Sequence, residues 1–382
     1  MAQHRTVVVH DYFAIRGGGE RLALTLAEAL EADIVYSFRE KESYPESMFR
    51  PSIDFNLPPM LRQTSIRTVA LAWHFFRAQN VVRDYSIRIF SGSFAPFAAP
   101  DRQAGGVNIF YCHTPPRFLY DQREHFRNRL PGPLRLLAPA LLRLFERGYT
   151  RSVARMDVVV ANSQNTRARI QRYLGRDSVI VYPPVDTDRF LWRGQGDYYL
   201  STARLSSLKR VDKIVEAFLR MPEKKLVVAS GGEDLEALKQ RAAGAPNITF
   251  RGWVDDDELL DLVGNATATI YLPREEDFGM SPVESMAAGK PVIGVAEGGL
   301  LETIVPEETG ILLPPDFSDQ DLVAAVRRMT PERALAMRPA CEARARRFTR
   351  ETFVSAMREV IEDALRKASG KDRDTAGTSP PP

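Results

Sequence analysis

The chain has 382 residues, 44% of them hydrophobic and 26% charged. That length exceeds one ordinary core of about 100 to 200 residues and favours two domains, while the composition excludes wholesale disorder. No apolar run approaches the roughly 20 residues that span a bilayer, and the polar start lacks the apolar region of a signal peptide, so we expect a cytoplasmic location. The two cysteines form no CxxC pair, which excludes a disulfide framework.

Charge is distributed unevenly along the chain. Residues 1–180 contain 25 lysines and arginines against 16 aspartates and glutamates, whereas the remainder contains 27 against 33. A basic domain can face an anionic partner such as a membrane or a phosphorylated substrate, although an arginine-rich surface explains the same excess. No motif supports binding of nucleic acid.

The first half of the chain alternates short apolar segments with helical patterns. A strand at RTVVVHDY leads through three glycines into the helical pattern ERLALTLAEALEA. Further strands are predicted at DIVYSF, IRIFSG, VNIFYCH and DVVVANS, and a helix at SQNTRARIQRYLG. This alternation is typical of βαβ units, so we assign residues 1–182 to a Rossmann-like α/β domain with a parallel sheet.

The pattern restarts after two adjacent prolines, Pro183 and Pro184, where we place a domain boundary. Strands are predicted at YYLSTARL, KLVVASGG, NITFRGW, ATIYLP, PVIGV and GILLP, with helices between them. They predict a second Rossmann-like α/β domain over residues 183–350. An amphipathic helix is predicted over 351–368, and the polar segment 369–382, rich in breakers, is predicted to be disordered.

Three glycines, Gly17 to Gly19, connect the first strand to its helix. The backbone N–H groups of such a turn, with the positive end of the helix, can bind a phosphate. A turn between a strand and a helix that binds no ligand can have the same glycine sequence, so this motif alone does not establish a phosphate site. It lacks the GxGxxG spacing, which argues against a nicotinamide-dependent dehydrogenase.

Charged residues follow two strands of the second domain. Arg204 and Lys209 lie in a polar loop and can neutralise a nucleotide diphosphate without a metal, although in isolation they are equally well two solvated cations. Glu276 and Glu284 bracket a glycine-containing turn that opens a helix. Carboxylates accept hydrogen bonds from sugar hydroxyls, but Glu284 is also explained as a first-turn residue favoured by the helix dipole.

Several motifs together resemble glycosyltransferase family 4. They are EDFGMSPVE, ARLSSLKRVD, NSQNTRARI with YPPVDTDRF, RGGGER and YCHTPPRFLYD, and they occur in the family's order. The chain most resembles bacterial O-antigen, lipopolysaccharide and exopolysaccharide enzymes that mostly use GDP-mannose, with Gly19, Ser281 and Ser285 as departures. The resemblance implies an α/β protein of the GT-B fold, in which two Rossmann-like domains face a cleft and a C-terminal helix crosses back to the N-terminal domain.

The resemblance also implies how a nucleotide-sugar donor is bound. Glu284 is expected on the ribose hydroxyls, Arg204 and Lys209 on the diphosphate, Val254 near the base, and Glu276 on the hydroxyls of the donor sugar.

Backbone N–H groups complete the donor site that the resemblance implies. Those of Phe278, Gly279 and Met280 are expected to contact the sugar. Those of Gly17 and Gly18 are expected to face the phosphate from the other domain.

His113 ends the predicted strand VNIFYCH and corresponds to the family's active-site histidine, which contacts the transferred sugar; the alternative is a structural histidine. Arg117, Tyr120 and Asp121 follow in the same loop as candidates for acceptor binding. With Glu276, Arg204 and Lys209, His113 makes up the expected catalytic set.

The resemblance to this family implies retention of anomeric configuration. We expect front-face attack, in which the leaving phosphate accepts the acceptor's proton while Arg204 and Lys209 stabilise its charge. The acidic strings 255–258 and 186–188 resemble metal-binding DxD motifs, but the first is expected to start a helix and the second to lie in the linker. We therefore expect no cofactor and no metal requirement.

A leucine- and arginine-rich stretch, residues 133–155, has two interpretations. Its arginines beside leucines are consistent with an amphipathic surface on the anionic inner membrane, which favours a polyprenyl-diphosphate-linked acceptor. The same sequence is also consistent with a helix that packs on the core and exposes its arginines to solvent. Pro139 is expected to limit a continuous helix.

The function expected from sequence is α-mannosyl transfer from GDP-mannose to a lipid-linked oligosaccharide in surface polysaccharide biosynthesis. Use of UDP-glucose or another nucleotide sugar, with the same chemistry, stays open. So does an alternative of another class, a catalytically silent scaffold that binds a nucleotide sugar.

Overall fold

The computed structural model describes residues 5–14, 17–41, 43–49, 52–62, 64–101, 105–121, 123–124 and 132–376. The chain divides into two compact units. Unit 1 comprises the chain up to Tyr182 together with the segment from Phe353 onward, and unit 2 comprises Pro183–Thr352.

Thirteen strands are found in the described residues. They are β1 (Thr6–His10), β2 (Asp33–Tyr36), β3 (Ser52–Asp54), β4 (Ile87–Ser91), β5 (Val107–Cys112), β6 (Val158–Ala161), β7 (Val179–Ile180), β8 (Tyr198–Ser201), β9 (Lys225–Val228), β10 (Ile248–Phe250), β11 (Ala268–Ile270), β12 (Val292–Val295) and β13 (Gly310–Leu313).

The helices of the described residues alternate with these strands. They are α1 (Gly18–Ala29), α2 (Thr64–Val82), α3 (Gly132–Ala154), α4 (Gln164–Leu174), α5 (Val211–Leu219), α6 (Leu235–Arg241), α7 (Asp256–Asn265), α8 (Met280–Ala287), α9 (Leu300–Thr303), α10 (Asp319–Arg328), α11 (Pro331–Ala345) and α12 (Arg350–Ala376). Within the described ranges, no helix combines the length and apolarity needed to cross a bilayer.

Each unit contains one parallel sheet. The order in unit 1 is β3-β2-β1-β4-β5-β6-β7, and in unit 2 it is β10-β9-β8-β11-β12-β13. The strand order reverses beside β1 in the first sheet and beside β8 in the second, and ligands of such folds bind at the carboxyl ends of the strands at this point. The predicted α/β class with two Rossmann-like sheets is confirmed.

The core of unit 1 lies on both faces of its sheet, because successive strand residues point to opposite sides. Val7 and Val9 face a layer that contains Phe75 of α2. Val8 faces the other layer, which contains Leu22 of α1 and Phe353 of α12. The C-terminal helix therefore packs on unit 1 through a buried stripe at helical spacing: Phe353, Met357, Val360, Ile361 and Ala364.

The structure differs from the sequence-based expectation at three helices. The sequence gives no clear periodic signal for α2, because apolar side chains occupy both of its faces. Helix α3 continues through Pro139, which was expected to interrupt it. Helix α12 ends at Ala376 instead of 368, since a single glycine, Gly370, is tolerated within a helix. The remainder of the predicted tail, 377–382, lies outside the described residues.

Candidate functional site

The carboxyl edge of the unit 2 sheet brings together three polar side chains from two loops. The Lys209 ammonium lies 2.6 Å from Glu276 Oε2 and donates to the Tyr271 hydroxyl at 3.0 Å. Tyr271 in turn donates to the same Oε2 at 2.9 Å. Burial, followed by the neighbouring Glu276 and Glu284 carboxylates, raises the pKa of Tyr271, so its phenol keeps the proton that it donates. The carboxylate of Glu276 is thereby fixed in orientation.

A buried arginine braces the loops that carry this cluster. Arg210 adopts a left-handed backbone conformation with φ of 51°. Its guanidinium donates to the carbonyl oxygens of Leu272 at 2.6 Å and Pro273 at 2.9 Å, and lies 3.2 Å from Glu297 Oε2. The other oxygen of Glu297 accepts from the backbone N–H of Glu275 at 2.6 Å. Arg210 thus connects the loop after β8 to the loops after β11 and β12.

A glycine turn after β12 allows close backbone contact with the glutamate segment. Gly298 has φ of +59°, and a Cβ there would lie 2.3 Å from the carbonyl oxygen of Glu276. The same oxygen accepts from the N–H of Gly299 at 2.8 Å. Side chains at these two positions would push the segment away, so the glycines set the position of Glu276.

Helix α8 begins directly after this segment. Its N-cap, Gly279, has φ of 90° and no side-chain cap. The Phe278 side chain is buried, with its ring 5.4 Å from that of Phe348, so the role expected of its backbone N–H stays a prediction. Met280 and Glu284 are half-buried in α8.

The remaining residues expected at the donor site also lie at this edge of the sheet. Arg204 is exposed in the loop after β8 and makes no ion pair with any described residue. Val254 is half-buried after β10. Its neighbour Trp253 is 73% exposed, and its indole lies against Gly231, where a Cβ would be 2.3 Å from Nε1. An exposed aromatic face at the carboxyl edge suits stacking of a base.

In unit 1, a chain of three polar side chains crosses the carboxyl ends of β1, β4 and β5. His113 Nε2 lies 2.8 Å from Ser91 Oγ, and that hydroxyl lies 3.3 Å from His10 Nδ1. Burial lowers the pKa of His113 to about 4, and burial with the neighbouring His113 lowers the pKa of His10 to about 3. Both imidazoles are therefore neutral at pH 7, so His113 acts as a hydrogen-bonding group and carries no positive charge.

The glycine turn of unit 1 contains a carboxylate of its own. Helix α1 begins at Gly18, with Gly17 as N-cap. Glu20 folds back so that a Cβ at Gly17 would lie 2.4 Å from its Oε2. Burial, with a contribution from Asp11, raises the pKa of Glu20 to about 7. A phosphate at Gly17 and Gly18 therefore meets this side chain, which repels it less when protonated.

Asp11 is held in place by backbone groups. Its carboxylate accepts from the N–H groups of Ser93, Phe94 and Ala95 at 2.7 to 2.8 Å. Burial nevertheless raises its pKa to about 6, because desolvation outweighs these bonds. Asp11 thus orders the turn that follows Ser91, the last residue of β4.

The raised pKa of Glu20 predicts a pH-dependent gain in stability for Glu20→Gln. The carboxyl ionises near 4.5 when unfolded and near 7 when folded, so stability present below pH 4.5 is lost as the pH rises to 7. We expect the variant to unfold with about 2 kcal/mol more free energy than the parent at pH 8 and less than about 1 kcal/mol more at pH 5. Urea unfolding at both values measures this. Glu359→Gln, at an exposed position, is the control, and an equal gain at both values would contradict the prediction.

The three acceptor candidates have internal partners. Asp121 lies 3.5 Å from Arg117 and 2.8 Å from Arg169. The Tyr120 ring stacks on Tyr173 at 4.5 Å, and its buried hydroxyl has no hydrogen-bond partner among the described residues. Arg117 and Asp121 therefore stabilise this loop through their own ion pair, and their role in acceptor binding stays a prediction.

The first acidic string starts a helix, as the sequence indicates, since Asp255 caps α7 by accepting from the N–H of Glu258 at 2.8 Å. Residues 186–188, which were expected in the linker, belong to unit 2. Over the described ranges, no group of three or more His, Cys, Asp or Glu side chains is placed to hold a metal ion. Metal independence itself stays a prediction.

Sequence reasoning missed five residues of these sites. It gave no role to His10, Ser91, Glu20, Arg210 or Tyr271. His10 and Ser91 end the apolar strands β1 and β4, and Tyr271 directly follows β11, so a position at the carboxyl end of a strand is a usable signal. Arg210 carries no such signal, since only the sheet order brings it to its partners.

Two family models match the chain. The model described as Glycosyltransferase Family 4 matches residues 16–189, and the model described as Glycosyl transferases group 1 matches residues 184–348.

Curated relatives are similar at modest identity. The alpha-1,3/1,6-mannosyltransferase ALG2 of Homo sapiens is 27% identical over 244 residues, which cover 54% of this chain and 56% of that protein. The mannosylfructose-phosphate synthase of Agrobacterium fabrum is 28% identical over 191 residues, 42% of each. The chain thus spans about half the length of the curated relatives that it matches.

A solved structure shows the fold. The Anabaena HepE protein in complex with UDP and glucose has a TM-score of 0.73 and 18% identity, covering 94% of this chain and 100% of that chain. Since the two family matches together extend from residue 16 to residue 348, the chain belongs to glycosyltransferase family 4 and has the GT-B fold.

Proposed function

We propose that the protein is a retaining glycosyltransferase that moves mannose from GDP-mannose onto a lipid-linked, polyprenyl diphosphate oligosaccharide during surface polysaccharide assembly. The observation that carries this proposal is the cluster of Lys209, Tyr271 and Glu276 at the carboxyl edge of the unit 2 sheet. It places a cation for a diphosphate next to a fixed carboxylate for sugar hydroxyls.

The proposed donor site follows from this cluster. Lys209 and the exposed Arg204 bind the diphosphate, and Glu276 accepts hydrogen bonds from the sugar. Glu284 binds the ribose, and the base lies near Val254. The exposed Trp253 indole, next to Val254, supports this position of the base, because an aromatic side chain can stack on any nucleic-acid base.

The proposed chemistry needs no enzymic nucleophile. The bond between the sugar's anomeric carbon and the leaving phosphate oxygen breaks, and the acceptor oxygen bonds to the same face of that carbon. The acceptor's proton passes to the leaving phosphate, so the products are GDP and the glycoside. Lys209 and Arg204 stabilise the charge on the diphosphate. The neutral His113 contacts the transferred sugar as a hydrogen-bonding partner.

The proposal that mannose is transferred depends on the similarity to mannosyltransferases, because no short sequence motif identifies the nucleotide base. ALG2 is named as a mannosyltransferase, whereas HepE is seen with UDP and glucose. The competing donor is therefore UDP-glucose, with the same residues in the same roles. A catalytically silent scaffold would not require the pairing of Lys209 with Glu276. In this proposal the enzyme works at the cytoplasmic face of the inner membrane, where its lipid-linked acceptor lies.

Calorimetric titration with GDP, UDP, ADP, GDP-mannose and UDP-glucose tests the donor, first without metal and then with EDTA. We expect selective binding of GDP and GDP-mannose that EDTA leaves unchanged. Selective binding of the uridine compounds would replace the donor and keep the chemistry. Loss of binding with EDTA would overturn metal independence, and absence of any nucleotide binding would favour the scaffold.

A further inference from the structure

Helix α2 of unit 1 exposes apolar side chains on the face that points away from the core. Leu71, Phe75, Ala78 and Val82 are buried against the sheet. The opposite face, which we call the α2 outer face, consists of exposed side chains at helical spacing: Val69, Trp73, Phe76, Arg77, Asn80 and Arg83. Both faces of this helix thus carry apolar side chains.

The apolar part of the α2 outer face is large for a solvated helix. Val69 is 61%, Trp73 62% and Phe76 53% exposed, and the two aromatic rings lie 6.4 Å apart at an interplanar angle of 24°. Met60, in the short turn before the helix, is 72% exposed. Exposing two adjacent aromatic side chains to water is unfavourable, so a partner that covers them is expected.

The charges around these side chains identify the partner. Residues 55–83 contain four arginines and no aspartate or glutamate. Arg62 pairs with Glu40 at 2.9 Å and Arg67 lies over the Tyr12 ring, which leaves Arg77 and Arg83 for a partner. Arg77 and Arg83 are exposed and continue the same helical stripe beyond the aromatic pair. Asp84 is the first acidic residue after them. An apolar stripe with arginines and no carboxylate is complementary to an anionic lipid surface.

The neighbouring helix α3 adds charge on the same side of the sheet. Helices α2 and α3 both contact the turn at residues 95–98: Gln79 donates to the carbonyl oxygen of Phe97 at 3.0 Å, and the Phe97 ring packs on Phe145 and Tyr149. Helix α3 exposes Leu141 and Leu144, and its exposed arginines are Arg135, Arg143, Arg147 and Arg151. The two helices therefore present leucine, aromatic and arginine side chains from one layer.

A second protein chain fits this surface less well than a lipid surface. Stable protein interfaces bury about 800 Å² on each partner. Two aromatic side chains and a valine that are 53 to 62% exposed supply roughly 350 Å² when fully covered. Insertion into a headgroup region needs only a few such side chains, and tryptophan is enriched there.

We propose that the α2 outer face docks the protein on anionic membranes, with Trp73 and Phe76 inserted among the headgroups and Arg77 and Arg83 on lipid phosphates. This docking site does not depend on the proposed sugar transfer. The α2 outer face belongs to unit 1 and the proposed nucleotide site to unit 2, so membrane binding and nucleotide binding can be measured separately.

The first test is co-sedimentation with vesicles of phosphatidylcholine alone and of phosphatidylcholine mixed with phosphatidylglycerol. We expect the full chain to bind the mixed vesicles and the double variant Trp73→Glu, Phe76→Glu to bind at least about tenfold more weakly. Arg77→Ser with Arg83→Ser should remove the preference for anionic lipid. Leu301→Glu, at a residue 59% exposed in unit 2, is the matched control and should bind as the parent does. An unchanged circular dichroism spectrum and an unchanged urea unfolding midpoint show that unit 1, which carries α2, is folded in each variant.

The second test follows Trp73 directly. The chain has three tryptophans, so replacing Trp192 and Trp253 by phenylalanine leaves one reporter. Its emission should shift to the blue and be quenched by brominated lipid only with anionic vesicles. Absence of binding by the parent, or equal binding by the glutamate double variant, would overturn the proposal. So would a dimer that sediments as such, dissociates in the double variant and does not bind vesicles.

Discussion

Glu276→Gln is expected to lower the turnover number by about 100-fold or more while changing GDP affinity less than about threefold. The side chain keeps its size, and its one remaining oxygen can still accept the hydrogen bonds that Lys209 and Tyr271 donate. It loses the negative charge and one accepting oxygen, which in our proposal bind the donor sugar and not the nucleotide. The transfer rate and the calorimetric affinity for GDP measure the two effects separately.

The control for Glu276 is Glu308→Gln, which removes an exposed carboxylate from the same unit. It should transfer sugar at the parent rate. If Glu276→Gln turned over at the wild-type rate, Glu276 would have no role in sugar transfer, even if GDP still bound. A large loss of GDP affinity instead would mean that the carboxylate organises the nucleotide pocket through Lys209.

Lys209→Met should weaken GDP binding by about tenfold and lower kcat/KM by about 1000-fold. Lys209 is the cation that the structure holds between Tyr271 and Glu276. Its charge acts on the diphosphate both in the bound donor and, more strongly, as the leaving group departs. Because the effect belongs to the diphosphate, affinity for guanosine should change little. Calorimetry with GDP and guanosine, together with transfer kinetics, measures these terms.

Lys213→Met is the matched control for Lys209. Lys213 lies in the first turn of α5, is about half exposed, and pairs with Asp319 at 3.4 Å. Its replacement should leave GDP affinity and turnover unchanged, since an exposed ion pair contributes little. Equal losses of GDP and guanosine affinity in Lys209→Met would show a structural role and contradict the assignment to the diphosphate.

The pairing of functional side chains depends on sheet order. Lys209 and Glu276 are 67 residues apart, and Ser91 and His113 are 22 apart. Each pair meets because its strands are neighbours that end at the same edge. The sequence shows which residues end a strand, but it contains no local record of which strands lie side by side.

Local patterns did predict much of the architecture. Apolar runs of four to six residues between helical patterns identified most strands of both sheets, because a buried parallel strand needs apolar side chains on both faces. The proline pair at residues 183–184 and the return of the alternating pattern indicated two domains. Motif order identified the family and the loops that carry Lys209, Glu276 and His113.

The sequence by itself therefore determined the fold class, the family and the loops of the candidate site, since these depend on local periodicity and on short motifs. Only the tertiary structure decided that Tyr271 joins Lys209 to Glu276, that Arg210 braces their loops, and that burial keeps His113 neutral. It also decided which apolar face of α2 is solvent-exposed. Contact, burial and desolvation depend on residues distant in the chain, and periodicity cannot distinguish two apolar faces of one helix.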